Sequence, residues 1–249
     1  MLSELRYFLA AVQVLTRLPV PALRGFEEEW LERGVKYFPL AGALVGAACA
    51  AILFAASRLW GGMLPALITI AAGIAMTGGL HEDGFADFFD SMGGATREAR
   101  LTIMKDSRLG TYGVLALGAG LGAKIFALAA LTPATGAAAL IALHAGGRLA
   151  AAAVISMLPY AGGISAAKIK PLGYGITRAD LAIAAIFGIL PLFLLPWVTA
   201  LLAFAIAGAA STLAALYARH LLGGYTGDVL GAVEQSYEIA FLLAAAACV

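Results

Sequence analysis

Seven runs of apolar residues, at 37–57, 62–80, 111–131, 135–158, 180–195, 197–218 and 229–249, set the terms on which this chain can fold. A bilayer's hydrocarbon core takes about 20 apolar helical residues to cross, and each run reaches or approaches that length. Within lipid the backbone must satisfy its own hydrogen bonds, so runs of this kind fold as helices. Hydrophobic residues make up 62% of the 249 and mean hydropathy is +0.92, more apolar surface than a soluble domain of this size can hide. The expected fold is all-α: one integral membrane helical bundle over 1–249, with about seven transmembrane helices. Between 180–195 and 197–218, Pro191 and Pro196 leave the boundary open.

Residues 1–22 hold an apolar run flanked by Arg6 and Arg17 and stopped by Pro19 and Pro21. There is no basic segment ahead of the run and no small-residue cleavage site after it, so it does not read as a signal peptide. A helix lying in the membrane interface fits better. The stretch from Arg24 to Lys36, rich in glutamate, reads as a solvated face.

The basic residues are distributed unevenly. Thirteen fall on one side of the expected bundle: Arg6, Arg17, Arg24, Arg33, Lys36, Arg97, Arg100, Lys105, Arg108, Lys168, Lys170, Arg178 and Arg219. Only Arg58 falls on the other, and Lys124 and Arg148 lie within spans. Positive loops stay cytoplasmic, so the N-terminus is expected in the cytosol and the C-terminus outside. Net charge is only +1, which gives no basic field for nucleic acid. Cys49 and Cys248 sit far apart in apolar runs and suggest neither a disulfide framework nor a metal site.

Chemistry concentrates in residues 78–113. There Asp83, Asp87 and Asp90 stand at i, i+4 and i+7 and share one face of a helix. Like charges so close raise each other's pKa unless a cation lies between them; Mg²⁺, held by carboxylates and substrate phosphates, is the simplest candidate. Arg97, Arg100, Lys105 and Arg108 follow and suit a phosphate or pyrophosphate. A second polar loop, RHLLGGYTGD at 219–228, has Gly223 and Gly224 for close backbone approach and ends at Asp228, which either caps a helix or joins the first acid cluster. On the same helix Glu234 and Glu238 share a face that could look towards that cluster. Lys124, His144 and Arg148 are costly within spans; they either line a polar pocket that grips phosphate or pair with buried acids. Lys168, Lys170, Gly173 and Gly175 form a basic loop suited to phosphate or to lipid headgroups.

Five blocks, VQVLTRLPVP at 12–21, FPLAGALVGA at 38–47, TGGLHEDGFADFFD at 77–90, MKDSRLGTYG at 104–113 and GGYTGDVLGA at 223–232, occur in the order found in cobalamin synthases, which the chain resembles from about residue 5 onward. These are the adenosylcobinamide-GDP ribazoletransferases. The resemblance implies transfer of adenosylcobinamide phosphate from adenosylcobinamide-GDP to α-ribazole, or its 5′-phosphate, with release of GMP and a need for Mg²⁺. It implies a bacterial or archaeal cytoplasmic membrane, the two substrates and the lipid bilayer as partners, and is compatible with a homo-oligomer. Glu82 and Gln235 depart from the family's usual residues.

With that chemistry in view, Asp83, Asp87 and Asp90 are expected to hold metal. Arg97, Lys105, Arg108, Arg148, Gly223 and Gly224 are expected at phosphate, and Asp106 or Asp228 as the base or at a second metal. Two other readings stand beside this one. A CDP-alcohol phosphotransferase needs DxxDGxxAR, whereas Leu80 and Asp87 stand at two of those positions. A divalent-cation transporter would place its acids near the bilayer midplane rather than at helix ends.

Overall fold

The computed structural model describes residues 2–21, 28–162 and 176–248. Arg24 and the basic, glycine-rich segment with Lys168, Lys170, Gly173 and Gly175 lie outside them. The helices are α1 (Leu2–Leu15), α2 (Glu28–Gly34), α3 (Phe38–Leu59), α4 (Leu64–Thr77), α5 (Leu80–Asp90), α6 (Arg97–Ile103), α7 (Thr111–Ala130), α8 (Pro133–Met157), α9 (Arg178–Ile189), α10 (Trp197–Leu222) and α11 (Gly227–Ala247). No strand occurs among the described residues, only an isolated bridge between Tyr160 and Tyr225.

Five helices, 29–59, α7, α8, α10 and α11, are long and apolar enough to cross a membrane. A sixth crossing is made only if α4 and the segment from Leu80 to Gly93, bent 90° from it, count as one broken span. Among the described residues, length and apolar character thus mark five or six of the seven expected spans, and the two shorter segments have local causes. The run at 62–80 is cut at Gly78 and Gly79, both left-handed with φ of 70° and 72°. Such angles suit glycine and end a helix, leaving α4 with 14 residues, about 21 Å at 1.5 Å per residue. The run at 180–195 stops as an α-helix after 12 residues and becomes a 3₁₀ turn, Leu190–Leu194, where Pro191 cannot continue the ladder. Even so, this segment joins Asp180, 3.6 Å from Lys36 Nζ, to Leu195 in the core with Leu131.

One apolar core joins Val45, Cys49, Ile70, Leu128, Leu140, Ala203 and Phe241 from six helices. A second joins Leu15, Phe38, Phe85, Phe88, Ile155, Leu222, Val229 and Val233 and surrounds α5. α3 and α8 run side by side because Gly42 and Gly46 face the carbonyls of His144 and Leu140 with no room for a side chain. Gly118 and Gly122 of α7, by contrast, face open space. α1 carries exposed and buried residues along one short helix packed on α2 and α3, the form of an interfacial element.

Candidate active site

The break after α4 aims α5 across the bundle, where it meets α11. The crossing is as close as backbones allow. A Cβ on Gly84 would lie 2.8 Å from Asp228 Cα, and one on Gly231 would lie 2.9 Å from the His81 carbonyl oxygen. Two glycines among bulkier residues thus set Asp228 against the acidic helix, although some 140 residues separate it from Asp83.

Asp83 is exposed, Asp87 and Asp228 are half-buried, and Asp90 is buried. Burial first, then the charges of Asp83, Asp228 and Asp90, push the Asp87 carboxyl up to about 7. The four acids therefore act on one another electrostatically, which is the condition a cation relieves. Asp90 is already engaged: its two oxygens accept the N–H groups of Gly110 at 2.7 Å and Gly113 at 2.8 Å, tying the end of α5 to the start of α7. Hard oxygen donors and surplus negative charge suit Mg²⁺ in kind. As the side chains stand, no three His, Cys, Asp or Glu residues among those described converge closely enough to hold an ion.

Two cavities flank Asp83. One, about 230 Å³, runs between α1, α3, α5, α8 and α11; it is lined mainly by apolar groups, with Asp83 and Asp228 on its wall and His81 and Glu234 beside them. The other, about 500 Å³, lies over the Gly78–Gly79 break and reaches Arg17, Glu82 and Leu109.

The other expected residues are dispersed. Arg97 donates through Nε to the Leu222 carbonyl at 2.6 Å and through Nη2 to that of Ala161 at 2.9 Å, which closes the end of α10. Asp106 and Arg108 pair with each other at 2.6 Å on the exposed loop before α7; those hydrogen bonds hold the Asp106 carboxyl down at about 2. Lys105 is exposed on the same loop. Gly223 is the left-handed cap of α10, and Gly224 lies against the Pro159 carbonyl.

Arg148 is fully buried in an ionic network inside the bundle. Its Nη1 is 2.8 Å from Glu234 Oε1, whose other oxygen is 3.0 Å from His81 Nε2. Glu238 lies 2.6 Å from Lys124 Nζ and 2.7 Å from His144 Nδ1. Lys124 also donates to Gln235, which donates to Glu82. Of the two uses open to Lys124, His144 and Arg148, the described structure makes the second: they pair with buried acids. Glu234 and Glu238 turn inward to these cations rather than to the Asp cluster, and only through His81 does Glu234 reach α5. The cavity among them has room for about 10 Å³ of water centres, about one water molecule.

His81, Gly84, Gly231 and Arg17 were not singled out by sequence reasoning as site residues. A glycine within each of the two helices, Gly84 in α5 and Gly231 near the start of α11, was the available signal for the crossing; nothing local marked His81 or Arg17.

A bundle of membrane-length helices, carrying clustered carboxylates at a helix break and flanked by two cavities, defines the class: a polytopic membrane protein with a candidate acid-rich catalytic site. The cobalamin-5-phosphate synthase family matches residues 7–246, and the chain belongs to that family. It is 43% identical to an adenosylcobinamide-GDP ribazoletransferase of Leptothrix cholodnii, over 98% of this chain and 96% of that one. Enzymes of the same name from Ralstonia nicotianae (40%; 93% of this chain, 91% of that one) and Shewanella frigidimarina (36%; 96% and 93%) are also similar. No solved structure matches.

Proposed function

We propose that this chain transfers adenosylcobinamide phosphate from adenosylcobinamide-GDP to α-ribazole or its 5′-phosphate and releases GMP, with Mg²⁺ as cofactor. Family membership over nearly the whole chain carries the reaction. The observation that carries the site is the α5–α11 crossing, which sets Asp228 beside Asp83 and Asp87. Asp83, Asp87 and Asp228 would hold the metal, which supplies charge neutralisation at a diphosphate when bound. Asp90 would act mainly by fixing α5 against α7. The apolar cavity beside Asp83 and Asp228 suits the flat, uncharged base of the acceptor, whose hydroxyl would then lie near the carboxylates. Displacement at phosphorus asks chiefly for positioning and charge neutralisation.

The test is incubation of purified protein with adenosylcobinamide-GDP and α-ribazole. GMP and the joined product should form with Mg²⁺ and stop when EDTA removes it. Transfer undiminished by the chelator would refute the metal; no transfer under any divalent cation would refute the reaction.

We place the site on the cytosolic side of the cytoplasmic membrane, with the N-terminus inside and the C-terminus outside, on the thirteen-to-one distribution of basic residues. In a protein whose exposed Cys248 has been replaced by serine, a cysteine introduced at Ala95, exposed next to α6, should react with an impermeant maleimide only in inverted vesicles. Labelling in sealed right-side-out vesicles would reverse the orientation.

A further inference from the structure

We infer that Arg17 is a substrate-binding residue that grips the diphosphate of the nucleotide-activated donor in the 500 Å³ cavity on the far side of Asp83. The inference rests on the reaction proposed above and assigns one of its substrates to a place.

Arg17 follows α1 directly and is fixed there. Its N–H donates to the Met76 carbonyl at 2.7 Å, which clips it to the last turn of α4. Its side chain lies across Gly78, where a Cβ would stand 2.5 Å from Arg17 Nε and 2.9 Å from Cγ. The left-handed glycine that ends α4 thus also makes the bed for this arginine. The guanidinium is exposed and, among the described residues, makes no ion pair and no hydrogen bond. That sets it apart from three of the four cations expected at phosphate: Arg97 is bound to two carbonyls, Arg108 to Asp106 and Arg148 to Glu234; the fourth, Lys105, is exposed but does not line this cavity.

The cavity's wall also carries Glu82 and Asp83 and the start of α5. A lone carboxylate would fill only the fork of Arg17 and has no second charged group to share with a cation at the two acids. A diphosphate does: one phosphate can take the planar fork of Arg17 in two charge-assisted hydrogen bonds, while the positive end of α5 favours the same charge. The volume lies in the range of small-molecule sites. Asp83 borders both cavities, so a donor on the Arg17 side and an acceptor on the apolar side would meet at that carboxylate. With unphosphorylated α-ribazole as acceptor, only the donor carries phosphate, and the two substrates can be told apart.

The experiment compares full-length wild type, Arg17→Gln and Arg17→Lys in nanodiscs with Mg²⁺, varying each substrate in turn. Loss of a charged hydrogen-bonding pair should raise the donor KM about 10- to 100-fold in Arg17→Gln, less in Arg17→Lys, and leave the α-ribazole KM unchanged. An unchanged donor KM, or an equal rise for both substrates, overturns the assignment; the latter is also what an arginine serving only a lipid phosphate would give. A readout independent of turnover uses wild type alone. Phenylglyoxal modification of Arg17, followed by peptide mass, should be slowed by GDP with Mg²⁺ and not by α-ribazole. Equal rates with and without GDP would overturn the site even if the variants fail to reach the membrane. If wild type performs no transfer yet GDP still protects Arg17, the reaction fails and the diphosphate site stands.

Discussion

Asp83→Asn should lower turnover by about 100-fold or more, the equivalent of about 3 kcal/mol of lost transition-state stabilisation, while the protein still accumulates in the membrane at its normal level. The substitution removes charge and keeps volume, and Asp83 is exposed, so no packing is disturbed. Asp228→Asn should do nearly the same, because Gly84 brings the Asp228 backbone against α5 and the two acids border one cavity. The double variant is the informative one. Residues that serve one ion fail together, so its loss should fall far short of the product of the single losses. Metal affinity should fall in both single variants, seen as a rise in the Mg²⁺ concentration for half-maximal rate. Fully multiplicative losses with unchanged Mg²⁺ dependence would separate the two carboxylates and leave Asp228 as an acid in the first turn of α11, whose cap is Thr226.

The second large effect concerns stability. Glu238→Ala should lower the melting temperature in detergent by about 10 °C or more, corresponding to about 3–5 kcal/mol for breaking a buried pair. Glu238 is 1% exposed and faces Lys124, His144 and Arg148 at once. Removing it strands cations where neither water nor lipid headgroups reach. Lys124→Met combined with Glu238→Leu should recover much of the loss, since an apolar pair of similar volume ends the need for compensation. If the double variant melts no higher than Glu238→Ala, the network is required for more than charge balance. A shift of a degree or two in the single variant would mean that solvent enters the cavity and screens the cluster.

What the sequence made legible divides along physical lines. The acid stripe of α5 could be read because it depends only on helical periodicity, and the spans 111–131, 135–158, 197–218 and 229–249 because length and hydropathy suffice. The expected run at 62–80 is cut at Gly78–Gly79: the dipeptide is close to neutral in hydropathy, and its effect comes from backbone angles, which hydropathy does not measure. Similarly, a dozen helical residues before Pro191 looked like most of a span. The intramembrane charges were visible as anomalies, yet their partners were not. Whether Lys124 meets Glu238 or a phosphate depends on how α7 and α11 are rotated about their axes, and that is set by packing among many residues. Arg17 was read as a flanking residue of an interfacial helix, since its relation to Gly78 arises only when the chain doubles back.

The glycine crossing of α5 and α11 also bears on how large molecules come and go. Two helices in backbone contact, with Glu234 on one beside His81 on the other, have no slack between them and cannot part without tearing the buried network. A cleft built on that seam cannot open like a jaw. Both cavities, however, share a wall: Val14 and Leu15 of α1 border one, and Arg17 just beyond it borders the other. α1 crosses nothing and is held mainly by α2 and α3. The two cavities are therefore joined through α1 rather than through the α5–α11 seam, and a change in the packing of that one short helix would alter both at once.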